Sequence, residues 1–304
     1  VATTTSVARP RKVSVWRRRT ATMAAHWTTF RQSRRGMAGL AILAFFVGLA
    51  IASPLLVSPA DLDASAASMP LHAPPSSQAW LGTDNFGRSV LDLLIAGARV
   101  SLLVGFTAAL GAMLIGAVVG ISAGYFGGTK VDAALNALTN WFLVIPWLAL
   151  AIALATVLGA SLTNVIVVIA ITSWAATARV VRAQALSVRE RPYIERARAM
   201  GGSHWHVITR HVLPNVFPVL FANTILMIAL AILSETTLAI LGLSDPSSAS
   251  WGRIIEDSFT GGAMTAGWWW WLIPPGVCIV FVTLAFTMVG FALDEILSPR
   301  LRQR

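Results

Sequence analysis

Six apolar stretches of about 20 residues alternate with polar segments along this chain. An α-helix rises 1.5 Å per residue, so a run of about 20 apolar residues crosses the hydrocarbon core of a bilayer. The pattern predicts spans near 37–57, 99–122, 133–158, 163–181, 216–242 and 268–292. Ahead of the second span, Val90, Leu91, Leu94, Ile95 and Ala98 recur at helical spacing and predict a short amphipathic lead-in. Gly116, Gly120 and Gly124 give that span a small-residue face on which another helix can approach closely. Pro146 falls inside the third span and predicts a kink there. A polar, Pro-rich segment fills 58–98, a polar island fills 184–214, and a second polar segment runs over 243–266.

Composition turns this pattern into a class. The chain has 304 residues, of which 56% are hydrophobic and 12% charged. Soluble domains carry about 25% charged residues, so the bilayer is the main solvent and the fold class is an all-α integral membrane protein. The net charge of +10 would suit nucleic acid. Its location argues for no nucleic acid: the basic residues flank the spans, where they orient a protein in the lipid bilayer.

Twenty of the 23 Lys and Arg residues fall on the side of the two termini, leaving only Arg88, Arg99 and Arg253 on the other. The positive-inside rule then predicts a multi-pass protein of the cell membrane with both termini cytoplasmic. The basic arm 1–36 precedes the spans, and Trp16, Trp27 and Phe30 would let part of it lie along the surface as an elbow helix. That arm is too long and too basic for the leading region of a signal peptide, so the first span is expected to be retained. The 58–98 segment becomes an extracytoplasmic loop, and 293–304 a cytoplasmic tail. The run Trp268–Trp271 reads as an aromatic belt at the outer mouth of the last span. The lone Cys278 reads as a small hydrophobe.

The polar island is not composed like a connector. Pro192-Tyr-Ile-Glu-Arg-Ala-Arg-Ala-Met predicts a helix with Pro in its first turn, stopped by Gly201-Gly202. A second helical stretch follows from Ser203 to about His211, with Trp205, Val207, Ile208 and Val212 among polar residues, and Pro214 opens the next span. Two amphipathic helices about a Gly turn make a stiff knob, which can transmit force as a floppy loop cannot.

Glu195-x-Ala197-x-x-x-Gly201, followed by His211-x-Leu213-Pro214, resembles the EAA loop of ATP-binding-cassette (ABC) importer permeases. Other stretches narrow the likeness: Leu81-Gly-Thr-Asp84 with Gly87-Arg88, Gly97-Ala-Arg-Val-Ser-Leu102, Gly124-Tyr-Phe-Gly-Gly128, Arg210-His-Val-Leu-Pro-Asn215, Glu235-Thr-Thr with Leu241-Gly-Leu243, and Ser250-Trp-Gly252. Together they are similar to the C-type permeases of the dipeptide/oligopeptide/nickel importers, DppC-like or OppC-like, over about 37–302. The resemblance implies the type I importer (MetI-like) permease fold with one extra N-terminal span and a core of five spans over 99–292. It implies an ATPase-coupling role for Glu195, Ala197, Arg198, Gly201, His211, Leu213 and Pro214. The partners it implies are a homologous B-type permease subunit, two ABC ATPase domains, an extracytoplasmic substrate-binding lipoprotein and a peptide substrate. Arg196 departs from the usual second Ala of the loop, and Gly290-Phe-Ala-Leu-Asp294 departs from the usual exit of the last span. Nickel or another small solute is the alternative cargo within the family.

Individual residues leave choices open. Glu235 sits inside a span, where a carboxylate must face protein or a watery path; a pathway or interface role, with Pro146, stands beside a structural hydrogen bond. Asp84, Arg88 and Trp251 stand where an outer binding protein would dock, or Asp84 and Arg88 form a local ion pair. His204, His206 and His211 do not converge with any Cys or carboxylate into a metal set. No G-x-x-x-x-G-K-[ST], H-E-x-x-H or G-x-S-x-G motif occurs. No cofactor of its own is therefore expected, ATP and Mg being bound by partner subunits. A membrane-embedded enzyme built on Glu235 would need a second titratable group at the same depth, and the spans offer none.

Overall fold

The computed structural model describes residues 27–297; the arm before residue 27, including Trp16, and the tail with Arg300, Arg302 and Arg304 lie outside the described residues. Among the described residues the structure is helical, with a single isolated bridge pairing Thr83 and Ser89. Helix α1 (Arg34–Leu56) is followed by the short α2 (Pro59–Leu62), then α3 (Val90–Tyr125), α4 (Lys130–Val144), α5 (Trp147–Leu158) and α6 (Leu162–Arg189). The island contributes α7 (Pro192–Ala199) and α8 (His204–Val207), and a π turn (Ile208–Val212) leads into α9 (Leu213–Ile240). Helices α10 (Trp251–Thr260), α11 (Ala263–Ala266) and α12 (Trp269–Leu297) complete the described chain. Five helices are long and apolar enough to cross a membrane, and α4 with α5 makes a sixth, bent candidate.

Three expectations change. The lead-in and the second span are one unbroken helix of 36 residues, about 54 Å long. Nothing between Val90 and Tyr125 breaks it, because its glycines are spent on packing: a Cβ at Gly116, Gly120 or Gly124 would run into Thr177, Ala178 or Ala185 of α6. The third span is broken rather than kinked, with α4 and α5 meeting at 90° around Ile145-Pro146. Pro146 becomes the N-cap of α5, which follows from its missing N–H and from its steric bar against a helical residue before it.

The third change concerns the approach to Pro214, which stands in the first turn of α9 as expected, while the helical path runs on without a break from His204 through Ile240. The π turn absorbs the proline: Leu213 N–H reaches back five residues to the Ile208 carbonyl, and Asn215 Nδ2 satisfies the His211 carbonyl at 2.7 Å.

The expected elbow survives in part. Residues 27–32 are helical, Trp27 stacks on Phe30, and Phe30 is buried with Leu43 of α1 against Ala285, Val289 and Ala292 of α12. Glycines 36 and 39 seat α1 there, since a Cβ would meet Ala292 or the Ala285 carbonyl.

The tryptophan run is not a simple belt. Trp269 is exposed, but Trp271 is fully buried, Trp268 lies tilted against His72 at 3.7 Å between ring centres, and Trp270 packs on Gly82. Gly82 has φ +68°, a conformation that an L side chain resists. These indoles fasten the 58–89 segment to the helices.

Candidate functional site

The knob forms as its residues predict. In α7, Ile194 and Ala197 turn inward, while Glu195, Arg196 and Arg198 face solvent. The helix ends in a Schellman turn: Gly201 N–H bonds the Arg198 carbonyl at 2.9 Å and Gly202 N–H bonds the Ala197 carbonyl at 3.0 Å. Gly201 takes φ +80° to do so, a state that costs a residue with a Cβ roughly 1–2 kcal/mol. Ser203 then caps α8 by accepting from the His206 N–H. The inner faces of α7, α8 and the π turn contribute Ile194, Ala197, Val207 and Val212 to one buried cluster with Tyr125 of α3, Val181 and Val188 of α6, and Val216 of α9. The knob is therefore rooted in three long helices.

Polar contacts tighten the root. The Tyr125 hydroxyl and His204 Nδ1 share a hydrogen bond of 2.9 Å, and the Arg198 guanidinium lies 4.8 Å from the centre of the Tyr125 ring. Arg189 donates to the Gly127 carbonyl, and Arg182 grips Asp132 with two bonds of 2.7 and 2.9 Å. Gly128 N–H also donates to Asp132. Helices α3, α4 and α6 thus meet the knob through one turn, 125–130.

At its tip the knob exposes Met200 (83%) and Trp205 (75%). The sequence pattern groups Trp205 with Val207, Ile208 and Val212 without assigning it a face, and does not single out Met200. The signal was available: Val207 and Val212 fill the inner face, and Trp205, two residues before Val207, points away from it. Glu195, Arg196 and Arg198 are exposed in the same polar segment.

Sequence-predicted residues of the coupling loop lie on this one unit. His211 is half-buried near Tyr193 and His206, Leu213 packs on the root cluster, and Pro214 is exposed. Among the described residues no three His, Cys, Asp or Glu side chains converge as a metal site.

Pro146 and Glu235 are elsewhere, and apart. Pro146 lies on the exposed α4–α5 break, which lines a groove of about 570 Å³ with Thr172 and Ser173 of α6 and Met227, Ser234 and Thr237 of α9. No charged side chain lines that groove. Glu235 does not reach it: the side chain is buried on the other side of α9, where Oε1 accepts from the Ser250 hydroxyl at 2.5 Å. Ser250 caps α10 with the same oxygen, accepting from the Arg253 N–H at 3.1 Å. Glu235 thus makes a structural hydrogen bond through Oε1, while its buried Oε2 has no hydrogen-bond partner among the described residues.

The far-end residues are also turned inward. Trp251 is fully buried, its backbone N–H on Ser101 Oγ and its indole N–H on the Leu94 carbonyl, both at 3.0 Å, with Phe46 against its ring. An indole so enclosed offers nothing to a docking protein, so that expectation for Trp251 is corrected. Asp84 is fully buried as well; it accepts from the Phe86 and Arg88 N–H groups and pairs with Arg88 Nε at 2.7 Å. The local ion pair is what forms.

The family described as the binding-protein-dependent transport system inner membrane component matches residues 116–303, and the N-terminal TM domain of oligopeptide transport permease C matches residues 23–75. The dipeptide transport system permease protein DppC of Alkalihalophilus pseudofirmus is 34% identical, over 90% of this chain and 88% of its own length. The DppC of Bacillus subtilis is 33% identical, over 91% and 85%. The glutathione transport system permease protein GsiD of Pectobacterium atrosepticum is 32% identical, over 76% of each. Among solved structures, a chain of the MetNI methionine ABC transporter in an inward-facing conformation aligns with a TM-score of 0.53 and 20% identity, covering 68% of this chain and 95% of its own. That likeness supports the fold.

Proposed function

The chain belongs to the family of binding-protein-dependent inner-membrane transport components, and from this premise we propose a full reading of how it works. It is a multi-pass permease subunit of an ABC importer. The knob end faces the cytoplasm, as the basic residues around it require, and both termini lie on that side. The chain pairs with a B-type permease subunit, and its uncharged groove forms one wall of the path. Its cargo is a dipeptide or oligopeptide, handed over by an extracytoplasmic binding protein. The relatives' names support that cargo, as does a groove with hydroxyls and no fixed charge, which suits a substrate whose side chains vary.

The chain carries no phosphate-binding loop, so two ATPase domains bind ATP and Mg and supply the work. Each cycle, closure of the ATPases presses on the knob, and the helices rooted in it rock between two packings. Met200 and Trp205 seat in the ATPase surface, with Glu195 and Arg198 fixing register around them. The observation that carries this reading is the knob itself: buried roots in α3, α6 and α9, and a bared apolar tip.

The test is reconstitution of the permease with its partners in proteoliposomes. Met200→Cys should cross-link to the ATPase subunit, and Gly201→Pro, which removes both the positive φ and the N–H donor, should cut ATP-dependent peptide uptake more than tenfold while the complex still assembles. Normal uptake by Gly201→Pro, or labelling of Met200→Cys only from outside intact cells, would overturn it.

A further inference from the structure

The three basic residues at the far end, Arg88, Arg99 and Arg253, all line one cavity of about 370 Å³. Two of them are spoken for. Arg88 holds Asp84, and Arg253 reaches Glu256 at 2.7 Å and Asp257 at 2.8 Å. Arg99 is exposed on the side of α3 and has no carboxylate or hydrogen-bond partner among the described residues. A long cation on a spanning helix is stabilised by an anionic partner, and none of the described residues provides one.

Arg99 also forms the rim of a second space. A furrow of about 440 Å³ runs between α1, α3 and α12, walled by Val47, Ala50, Ile51, Leu103, Phe106 and Phe286. Arg99 is the one polar side chain lining it. Depth fits as well. From Tyr125, at the knob end of α3, to Arg99 is about 39 Å at 1.5 Å per residue, close to the bilayer thickness measured through its headgroups. Arg99 therefore stands at the headgroup level of the far leaflet, and the furrow descends from it along about two turns of helix to Phe106.

A lone cation at headgroup level above an apolar furrow is complementary to one kind of molecule. We propose that α1, α3 and α12 hold a single phospholipid, its phosphate on Arg99 and one acyl chain along Val47, Ile51, Leu103 and Phe106. The lipid joins the extra N-terminal span to the five-span core where their side chains leave the furrow open.

Native mass spectrometry of the intact, delipidated transporter complex, titrated with phosphatidylglycerol, tests this. The wild type should retain one lipid that Arg99→Gln binds about fivefold more weakly, the worth of one headgroup-level cation. Arg99→Lys should recover most of the loss. Ala50→Phe, which fills the furrow and leaves Arg99 intact, should lose the same lipid. Diacylglycerol, with the chains and no phosphate, and inorganic phosphate, with no chains, should each bind more weakly than phosphatidylglycerol. Equal retention by all variants overturns the proposal, as does equal binding of diacylglycerol. So does a cross-link from Phe106→Cys to a partner subunit, which would mean that protein covers the furrow.

Discussion

The polar segment at the knob end and those at the far end read alike in sequence, with Gly turns, tryptophans and charged pairs between spans, yet they use these residues in opposite ways. At the knob end, aliphatic side chains are buried to free Met200 and Trp205. At the far end, Trp251, Trp271, Asp84 and Glu235 are themselves consumed in holding the segments down. One surface leaves apolar side chains bare, the other closes over them. A tryptophan in a polar segment thus says little until its partners are known.

The two indoles 205 and 251 give the sharpest way to break this contrast. Trp251→Ala should cost about 3–5 kcal/mol as a buried aromatic truncation, read as loss of folded protein in fluorescence-detected gel filtration. Trp205→Ala should change stability by no more than about 0.5 kcal/mol, as an exposed site, while lowering peptide-stimulated ATP turnover in the reconstituted complex. Equal stability losses for the two would erase the distinction.

A smaller effect sharpens it from the root. Asp132→Asn leaves Arg182 with a weaker acceptor; because Arg182 is partly exposed, the loss should be about 1 kcal/mol. Transport should fall more than melting temperature does, since the loosened turn 125–130 joins the knob to α3 and α4.

The smallest effect lies in the far-end loop. Asp245 accepts from the Ser247 hydroxyl and N–H and from the Leu162 N–H at 3.3 Å. These bonds, the Ser247 hydroxyl first, hold its carboxyl below the usual carboxylate range despite slight desolvation. The folded value lies below the unfolded one of about 3.9, so the clasp is fully present above that pH and is lost as pH falls through the folded value. Asp245→Asn should lower melting slightly at pH 7 and remove a small part of the acid sensitivity below about pH 4, so that variant and wild type converge in thermal melts at low pH.

Much of this was readable beforehand because it is local. Periodicity over twenty residues exposes a span, and Pro192 with Gly201-Gly202 brackets a helix through backbone rules alone. What escaped was decided by contacts between distant parts of the chain. Trp251 meets Leu94 and Ser101 across some 150 positions, and no pattern near Trp251 announces it. Pro214 opens α9 as expected, but no gap precedes it, because a π turn lets the chain skip the bond that proline forbids and go on. Pro146, with no such adjustment, broke its helix outright.

The continuity past Pro214 has a mechanical meaning. From His204 to Ile240 the chain is a strut of 37 residues, about 55 Å end to end, and its upper part is tied through Glu235 and Ser250 to α10. Its irregular stretches lie toward the knob end, in the π turn at 208–212 and at Pro218. On the proposed function, a shove delivered to Trp205 crosses the π turn and Pro218 first, and what passes them reaches the Ser250 cap on the opposite surface.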